Sequence, residues 1–189
     1  VTIENNHILD VNGTAVDVLN HVGTGIEILN NTITNSGEKG INYWAEAGGK
    51  ISGNTITGSG WEAIYTDISA TIESNHIVDA GMHGIVAAGH VSTGIEIIGN
   101  TITNPVEKGI NYWARAGGII RDNIITGAGE EAIFTDNSTT IQGNTLSNWS
   151  KYLMASLAFP KSPPAKGFIA IKPTSLAWAN GSNRSAASS

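Results

Sequence analysis

The sequence predicts an all-β solenoid, in which short parallel strands stack coil upon coil. The first observation behind this prediction is an asparagine that recurs at spacings of 25, 23 and 21 residues, a series that occurs twice. The second is a set of aliphatic residues at constant offsets from each asparagine, in segments that alternate with the period of two typical of strands. The recurring asparagines are Asn6, Asn31, Asn54, Asn75, Asn100, Asn123 and Asn144.

Three aliphatic columns define the strands of each coil. The first column lies three residues before the asparagine, the second two residues after it, and the third ten residues after it. The columns run from Ile3 to Ile141, from Ile8 to Leu146 and from Val16 to Ile133. We expect these side chains to fill the interior of about six to seven coils of 21–25 residues. We expect each asparagine to take a positive φ at a tight corner and to hydrogen-bond with its neighbours in a ladder.

The coils are also grouped in a longer duplication. Residues 23–67 match residues 92–136 at 32 of 45 positions without a gap, so a block of three coils and 69 residues occurs twice. We predict parallel coils over residues 1–148, a degenerate terminal coil or cap over 149–179, and a mobile tail over 180–189. The alternative for the end of the chain is foreign or misframed sequence beyond about residue 150, where the repeat register weakens.

The segments GIEILNNTITNSGEKGI and GIEIIGNTITNPVEKGI carry a resemblance to a known family. With their weaker copies, they resemble the right-handed parallel β-helix of the pectin-lyase-like superfamily. The resemblance implies a right-handed solenoid. That superfamily includes lyases, hydrolases, epimerases, tailspikes and adhesins, so the fold does not select an activity. The Asp-Pro-His run of alginate epimerases and the paired aspartates of polygalacturonases are absent from this sequence.

Composition narrows the class of partner. The formal net charge is −6 with only ten Lys and Arg, which argues against a nucleic-acid partner. The sequence has no cysteine and no apolar run long enough for a membrane span, so no membrane partner is predicted. The chain opens inside a repeat without an initiator methionine, which indicates a mature product or a fragment. We expect a secreted or cell-surface bacterial protein.

Three polar and aromatic columns follow the third strand of each coil, at offsets of eight, eleven and thirteen from the asparagine. Residues at equal offsets in stacked coils lie side by side, so these columns should form one long face. Tryptophan and tyrosine rings beside amides and carboxylates are typical of surfaces that bind sugars. The predicted ligand-binding residues are Lys39, Asn42, Trp44, Glu62, Tyr65, Asp67, Lys108, Asn111, Trp113, Glu131, Phe134 and Asp136.

Whether the chain is an enzyme is left open by the sequence. A lyase or epimerase acting on uronates needs a cation and a proton acceptor, and the candidates for these roles are His83, Tyr65 and Lys108. A hydrolase is less favoured. Asp67 and Asp136 lie three coils apart, hence about 14 Å, whereas glycosidase carboxylates lie about 5–9.5 Å apart.

No metal or other cofactor is predicted, because the histidines lack ligand spacing. The column of Asp10, Asn35, Asp79 and Asn104 offers oxygen ligands of the kind that calcium takes. The leading functional hypothesis is an extracellular β-helix that binds a polysaccharide or processes it as a diverged lyase or epimerase. The alternative is a non-catalytic structural module of an adhesin, a tailspike or a repetitive surface protein. The oligomeric state is undetermined.

Overall fold

The computed structural model describes residues 1–19, 25–44, 48–67, 69–88, 94–114, 117–135 and 139–149. Within these ranges the chain forms twenty strands of three to five residues and no helix. In particular, the described residues contain no helix of the length and hydropathy needed to cross a membrane. The all-β prediction is therefore confirmed. The tail predicted over 180–189 and, apart from Trp149, the cap predicted over 149–179 lie outside the described residues.

The strands form three parallel sheets, and each full coil contributes one strand to every sheet. Sheet A contains β1 (Thr2–Glu4), β4 (Glu27–Leu29), β7 (Lys50–Ser52), β10 (Thr71–Glu73), β13 (Glu96–Ile98), β16 (Ile119–Arg121) and β19 (Thr140–Gln142). Sheet B contains β2 (His7–Val11), β5 (Thr32–Ser36), β8 (Thr55–Thr57), β11 (His76–Val78), β14 (Thr101–Thr103), β17 (Ile124–Thr126) and β20 (Thr145–Ser147). Sheet C contains β3 (Val16–Leu19), β6 (Ile41–Trp44), β9 (Ile64–Thr66), β12 (Ile85–Ala87), β15 (Ile110–Tyr112) and β18 (Ile133–Thr135).

The aliphatic columns pair in register along each sheet, as the constant offsets predict. In sheet A, Ile28 pairs with Ile51, and in sheet B, Ile33 pairs with Ile56. Most of these side chains are fully buried. Because side chains alternate across a strand, the residues between the columns point outward, and a shift by one residue would bring polar groups into the core.

The column asparagines form the predicted ladder along the corner between sheets A and B. In Asn31, for example, the backbone N–H and the side-chain Nδ2 both donate to Oδ1 of Asn54, at 2.9 and 3.0 Å. Nδ2 of Asn31 also donates to the carbonyl of Ile3 in the preceding coil at 2.9 Å. The same contacts recur up to Asn144. Each interior ladder amide therefore uses its donors and its acceptor although it is buried, which meets the requirement that buried polar groups be paired.

The prediction that the ladder asparagine takes a positive φ is wrong. The positive φ falls on the preceding residue, for example Asn30 with φ 53° and Gly53 with φ 66°. The physical reason is that two adjacent residues have different roles at the corner. The residue before the ladder turns the chain in the left-handed region, which Asn, Asp and Gly tolerate. The ladder asparagine can then direct its amide inward, towards the next coil.

Two tyrosines fill the core beside sheet C. Tyr43 and Tyr112 are fully buried on the inward side of β6 and β15. The Tyr43 hydroxyl accepts from the N–H of Ile26 at 3.1 Å and donates to the carbonyl of Gly48 at 3.1 Å. Burial raises the pKa of Tyr43, so the phenol stays neutral. A Cβ added at Gly49 would overlap the Tyr43 hydroxyl, which explains why that position has no side chain.

We predict that Asn75→Ala lowers the free energy of unfolding by about 3 kcal/mol or more, because several buried donors and acceptors lose partners at once. These include the N–H and Nδ2 of Asn54, which donate to Asn75, and the carbonyl of Ile51, which accepts from it. Urea denaturation of purified protein measures the change. The control is Asn6→Ala, at an exposed rung to which no described ladder asparagine donates, where a loss of about 1 kcal/mol or less is expected. Equal losses in the two variants would contradict a cooperative buried ladder.

Candidate functional site

Sheet C carries the outward face with the most distinctive chemistry. Among the described strands, tryptophan, tyrosine and phenylalanine occur only in sheet C. Asn42 pairs with Asp17 on one side and Tyr65 on the other, and Trp44 pairs with Leu19. The residues at offsets eleven and thirteen therefore lie in register on one face, where the sequence places them. The face is not uniformly exposed, because Val86 and Asn111 are buried.

We define the first station as Lys39, Asn42, Trp44, Glu62 and Tyr65. The indole N–H of Trp44 donates to Oδ1 of Asn42 at 2.9 Å, and Nδ2 of Asn42 donates to Oδ1 of Asp17 at 2.8 Å. The Trp44 ring stacks on Tyr65 with 6.0 Å between centroids and 18° between planes. These contacts fix the indole with one face towards Tyr65, and the side chain remains 38% exposed.

Lys39 lies between a carboxylate and two rings in the first station. Its Nζ lies 3.8 Å from Oε2 of Glu62, 4.7 Å from the ring centroid of Trp61 and 5.3 Å from that of Tyr65. Both ion-pair partners are largely buried, with 18% and 12% of their side chains exposed. The contribution of Trp61 was not predicted from the sequence. Its equivalent in the duplicate is Glu130, so the position shows no repeated signal.

We define the second station as Lys108, Asn111, Trp113, Glu131 and Phe134. The indole N–H of Trp113 donates to Oδ1 of Asn111, and the ring lies 5.7 Å from Phe134 with 43° between planes. The Trp113 side chain is 50% exposed. The second station therefore repeats the arrangement of the first, with Phe134 in place of Tyr65.

Lys108 is held more tightly than Lys39. Its Nζ lies 2.6 Å from Oε2 of Glu130, 3.5 Å from Oε2 of Glu131 and 5.6 Å from the ring centroid of Phe134. Burial by itself lowers the pKa of Lys108, but the hydrogen bond and charge of Glu130, together with Glu131, raise it overall. Lys108 therefore remains a cation at neutral pH, which suits ion pairing and not proton abstraction. The lysines and glutamates at offset eight thus form ion pairs in both stations, with Glu130 as a partner that the sequence analysis missed.

His83 lies beside the second station and is only 8% exposed. Its Nδ1 accepts from the N–H of Lys108 at 3.3 Å, and its Nε2 lies 3.2 Å from Nδ2 of Asn111 and 3.4 Å from Oε2 of Glu107. Burial lowers the pKa of His83, and the nearby charge of Glu107 opposes this effect only in part. The ring is therefore a neutral imidazole at neutral pH.

The remaining candidates from the sequence are Tyr65, Asp67 and Asp136. Burial, with the charges of Asp67 and Glu62, raises the pKa of Tyr65, which disfavours the phenolate that a base would require. Asp67 follows β9 on the same face, and its N–H donates to the carbonyl of Tyr43 at 3.4 Å. Asp136 lies outside the described residues, so its predicted role stays a prediction.

The predicted oxygen column lies at the C-terminal ends of the sheet B strands. Asp10, Asn35, Asp79 and Asn104 all have positive φ angles of 51–55°. Asn35 donates to Asp10 at 2.9 Å and Asn104 to Asp79 at 3.3 Å, so carboxylates and amides pair from coil to coil. Within the described ranges, no group of three or more His, Asp or Glu side chains is arranged to hold a metal ion.

A family model described as a right-handed β-helix region matches residues 1–120. The chain belongs to the right-handed β-helix family. Its parallel coils fit the pectin-lyase-like superfamily, as the resemblance implied. No curated protein and no solved structure matches the chain. Membership establishes the fold, and the function has to be argued from the two stations.

We predict that Lys39→Met lowers the free energy of unfolding at pH 7 by about 1–3 kcal/mol, because it leaves the buried Glu62 carboxylate without its cation. The double variant Lys39→Met/Glu62→Gln should recover part of that loss. The matched control is Lys50→Met, which removes a more exposed ion pair with Glu73 and should cost less. Thermal and urea unfolding at pH 7 measure both effects. No recovery in the double variant would show that the lysine acts mainly through the Trp61 and Tyr65 rings.

Proposed function

We propose that the protein is a secreted or cell-surface module that binds a neutral carbohydrate polymer on the outward face of sheet C. The observation that carries this proposal is the pair of exposed, orientationally fixed tryptophans. Trp44 and Trp113 each donate the indole N–H to an asparagine and pack against an aromatic ring of the next coil. A flat, amphipathic side chain with a fixed orientation binds with little loss of conformational entropy.

The surroundings of the tryptophans suit sugar rings. The apolar C–H faces of a sugar pack on an indole, while its hydroxyl groups need donors and acceptors close by. The exposed pair of Asp17 and Asn42 provides such groups at the first station, and the partly exposed carboxylates of Glu107 and Glu130 lie beside the second. The equivalent coils are three apart, which places the stations about 14 Å apart along the sheet. A repeating polymer presents equivalent rings along its length and is therefore the class of ligand that two equivalent stations favour.

Charge favours a neutral polymer over a polyuronate. Lys39 is already paired with Glu62, and Lys108 is paired with Glu130 and Glu131. The whole chain carries a formal charge of −6. A uronate carboxylate would have to displace these glutamates in a field of the same sign, which opposes association. These observations support binding more than the lyase or epimerase chemistry that the sequence also suggested.

A structural module of an adhesin, tailspike or repetitive surface protein is the second candidate. The observation that favours it is the stacking of Trp44 on Tyr65 and of Trp113 on Phe134. Cross-strand aromatic pairs stabilise a sheet without any ligand. The duplicated 69-residue block also suits a protein that extends by adding coils. Ligand binding distinguishes the two candidates, because a purely structural role needs none.

We predict that Trp44→Ala and Trp113→Ala each weaken binding to a neutral polymer about 3- to 10-fold, the loss of one aromatic stacking contact, and that the double variant abolishes it. Affinity electrophoresis measures binding with galactomannan and hydroxyethyl cellulose as neutral probes and polygalacturonate as the charged probe. The control is Leu19→Ala, which removes an exposed aliphatic side chain in the same column and should leave binding unchanged.

Two outcomes would count against the proposal. If the double variant binds as tightly as the unmodified protein, the tryptophans are not part of the binding site. Stronger retention by polygalacturonate than by the neutral polymers would contradict the inferred ligand class. Circular dichroism of each variant confirms that the sheet content is retained, so that a loss of binding reports on the surface and not on unfolding.

A further inference from the structure

Trp61 is an exposed indole at the first station that the second station lacks. It lies in the turn before β9 and is 44% exposed. The equivalent residue in the duplicate is Glu130. The residues at the same offset in the other coils are Gly13, Glu38, Met82 and Glu107. Of all these residues, only Trp61 carries an aromatic ring.

The turn that carries Trp61 is fixed by the coils on both sides. The Trp61 N–H donates to the carbonyl of Glu38 at 3.0 Å, and the Trp61 carbonyl accepts from the N–H of Met82 at 3.2 Å. The Lys39 ammonium lies 4.7 Å from the centroid of the indole, within the range of a cation–π contact. The indole is therefore held in place without a ligand, which limits the conformational entropy that binding would cost.

Trp61 extends the rings of the first station across the sheet. Nζ of Lys39 contacts both Trp61 and Tyr65, at 4.7 and 5.3 Å from their ring centroids, and Tyr65 stacks on Trp44 at 6.0 Å. Because Trp61 and Tyr65 lie four residues apart in one coil, this row of rings follows the strand direction. The line from Trp44 to Trp113 follows the stacking direction instead, because these residues occupy equivalent places in coils that are three apart. The two directions cross at the first station.

The second station carries an ion pair where the first carries Trp61. The N–H of Glu130 donates to the carbonyl of Glu107 in the preceding coil at 2.9 Å, so the backbone of this turn is held as it is around Trp61. The side chain differs, because the Glu130 carboxylate lies 2.6 Å from Nζ of Lys108. The second station therefore offers a paired charge at the place where the first offers an aromatic ring.

We propose that Trp61 is a specificity-determining residue that binds a sugar side group of the polymer, while Trp44 and Trp113 bind its main chain. A main chain that contacts both of these tryptophans runs along the stacking direction, and Trp61 lies to one side of it. Only a group that branches from the main chain reaches Trp61 while both tryptophans stay occupied. The inference rests on the proposed function, and it narrows the ligand to neutral polysaccharides whose main chain carries short sugar side groups.

The test compares galactomannan with the same galactomannan after an α-galactosidase has trimmed its galactose side groups. Affinity electrophoresis measures binding to both forms. We expect the unmodified protein to bind the branched form about 3- to 10-fold more tightly than the trimmed form, the effect of one aromatic stacking contact. Trp61→Ala should remove this preference by weakening only the binding of the branched form, whereas Trp44→Ala should weaken the binding of both forms.

Three further variants separate this contact from changes in folding. Val106→Ala is the matched control, because it removes another exposed apolar side chain from a turn before sheet C and should change neither affinity. Trp61→Glu installs the residue that the turn carries in the duplicate and should act like Trp61→Ala. Glu130→Trp makes the reverse exchange and should increase the preference for the branched form. Circular dichroism of each variant checks that the sheet content is retained.

A second pair of probes repeats the comparison on another main chain. Xyloglucan and hydroxyethyl cellulose share a glucan main chain, and only xyloglucan carries sugar side groups. We expect the unmodified protein to prefer xyloglucan and Trp61→Ala to lose that preference.

Three outcomes would overturn the proposal. Trp61 contacts the main chain if Trp61→Ala weakens the binding of branched and trimmed forms equally, and it lies outside the site if this variant changes neither affinity. The side groups are not bound if the unmodified protein does not prefer the branched forms. In each case, binding that depends on Trp44 leaves the proposed function intact. If none of the four polymers binds, the proposed function itself is wrong, and the side-group contact is wrong with it.

Discussion

The asparagine ladder is the interaction on which the rest of the molecule depends. Each interior amide accepts from the preceding coil through its oxygen and donates through its nitrogen to both neighbouring coils, as Asn31 does with Asn6, Asn54 and Ile3. A slip of one residue would leave these groups unpaired in the interior, where an unmade hydrogen bond is expensive. The ladder therefore fixes the register of the coils. A fixed register aligns Asn42 with Tyr65 and makes a composite surface from residues distant in sequence.

The duplicated block shows how one scaffold carries two versions of a site. Trp44 and Trp113 occupy equivalent places and make equivalent bonds to an asparagine. The coil that precedes each station differs as well, because Asp17 in one half corresponds to Val86 in the other. Because a station is built across coils, a substitution in one coil changes the environment of a side chain in the next. Divergence can thus alter one station without touching its tryptophan.

The ionisable side chains on the outward face of sheet C are engaged by neighbouring groups, which bears on the choice between binding and catalysis. Its two lysines are occupied by glutamates, and its histidine is buried among N–H donors. Tyr65 is stacked beneath Trp44, with its phenol kept neutral by burial and nearby carboxylates. Catalysis would require an accessible group that changes protonation state in contact with the substrate. The fixed rings and nearby polar groups support the proposed binding role.

The sequence by itself determined the solenoid, its register and its outward columns. Constant offsets between the asparagine and its aliphatic neighbours leave one stacking that buries Ile33 on Ile56. It did not determine which of two adjacent residues, Asn30 or Asn31, turns the chain, because asparagine suits both positive φ and a ladder. Trp61 and the environment of His83 emerged only from the tertiary structure. These contacts join different coils and do not recur in the duplicated block. The repeat pattern of the sequence therefore gives no signal for them.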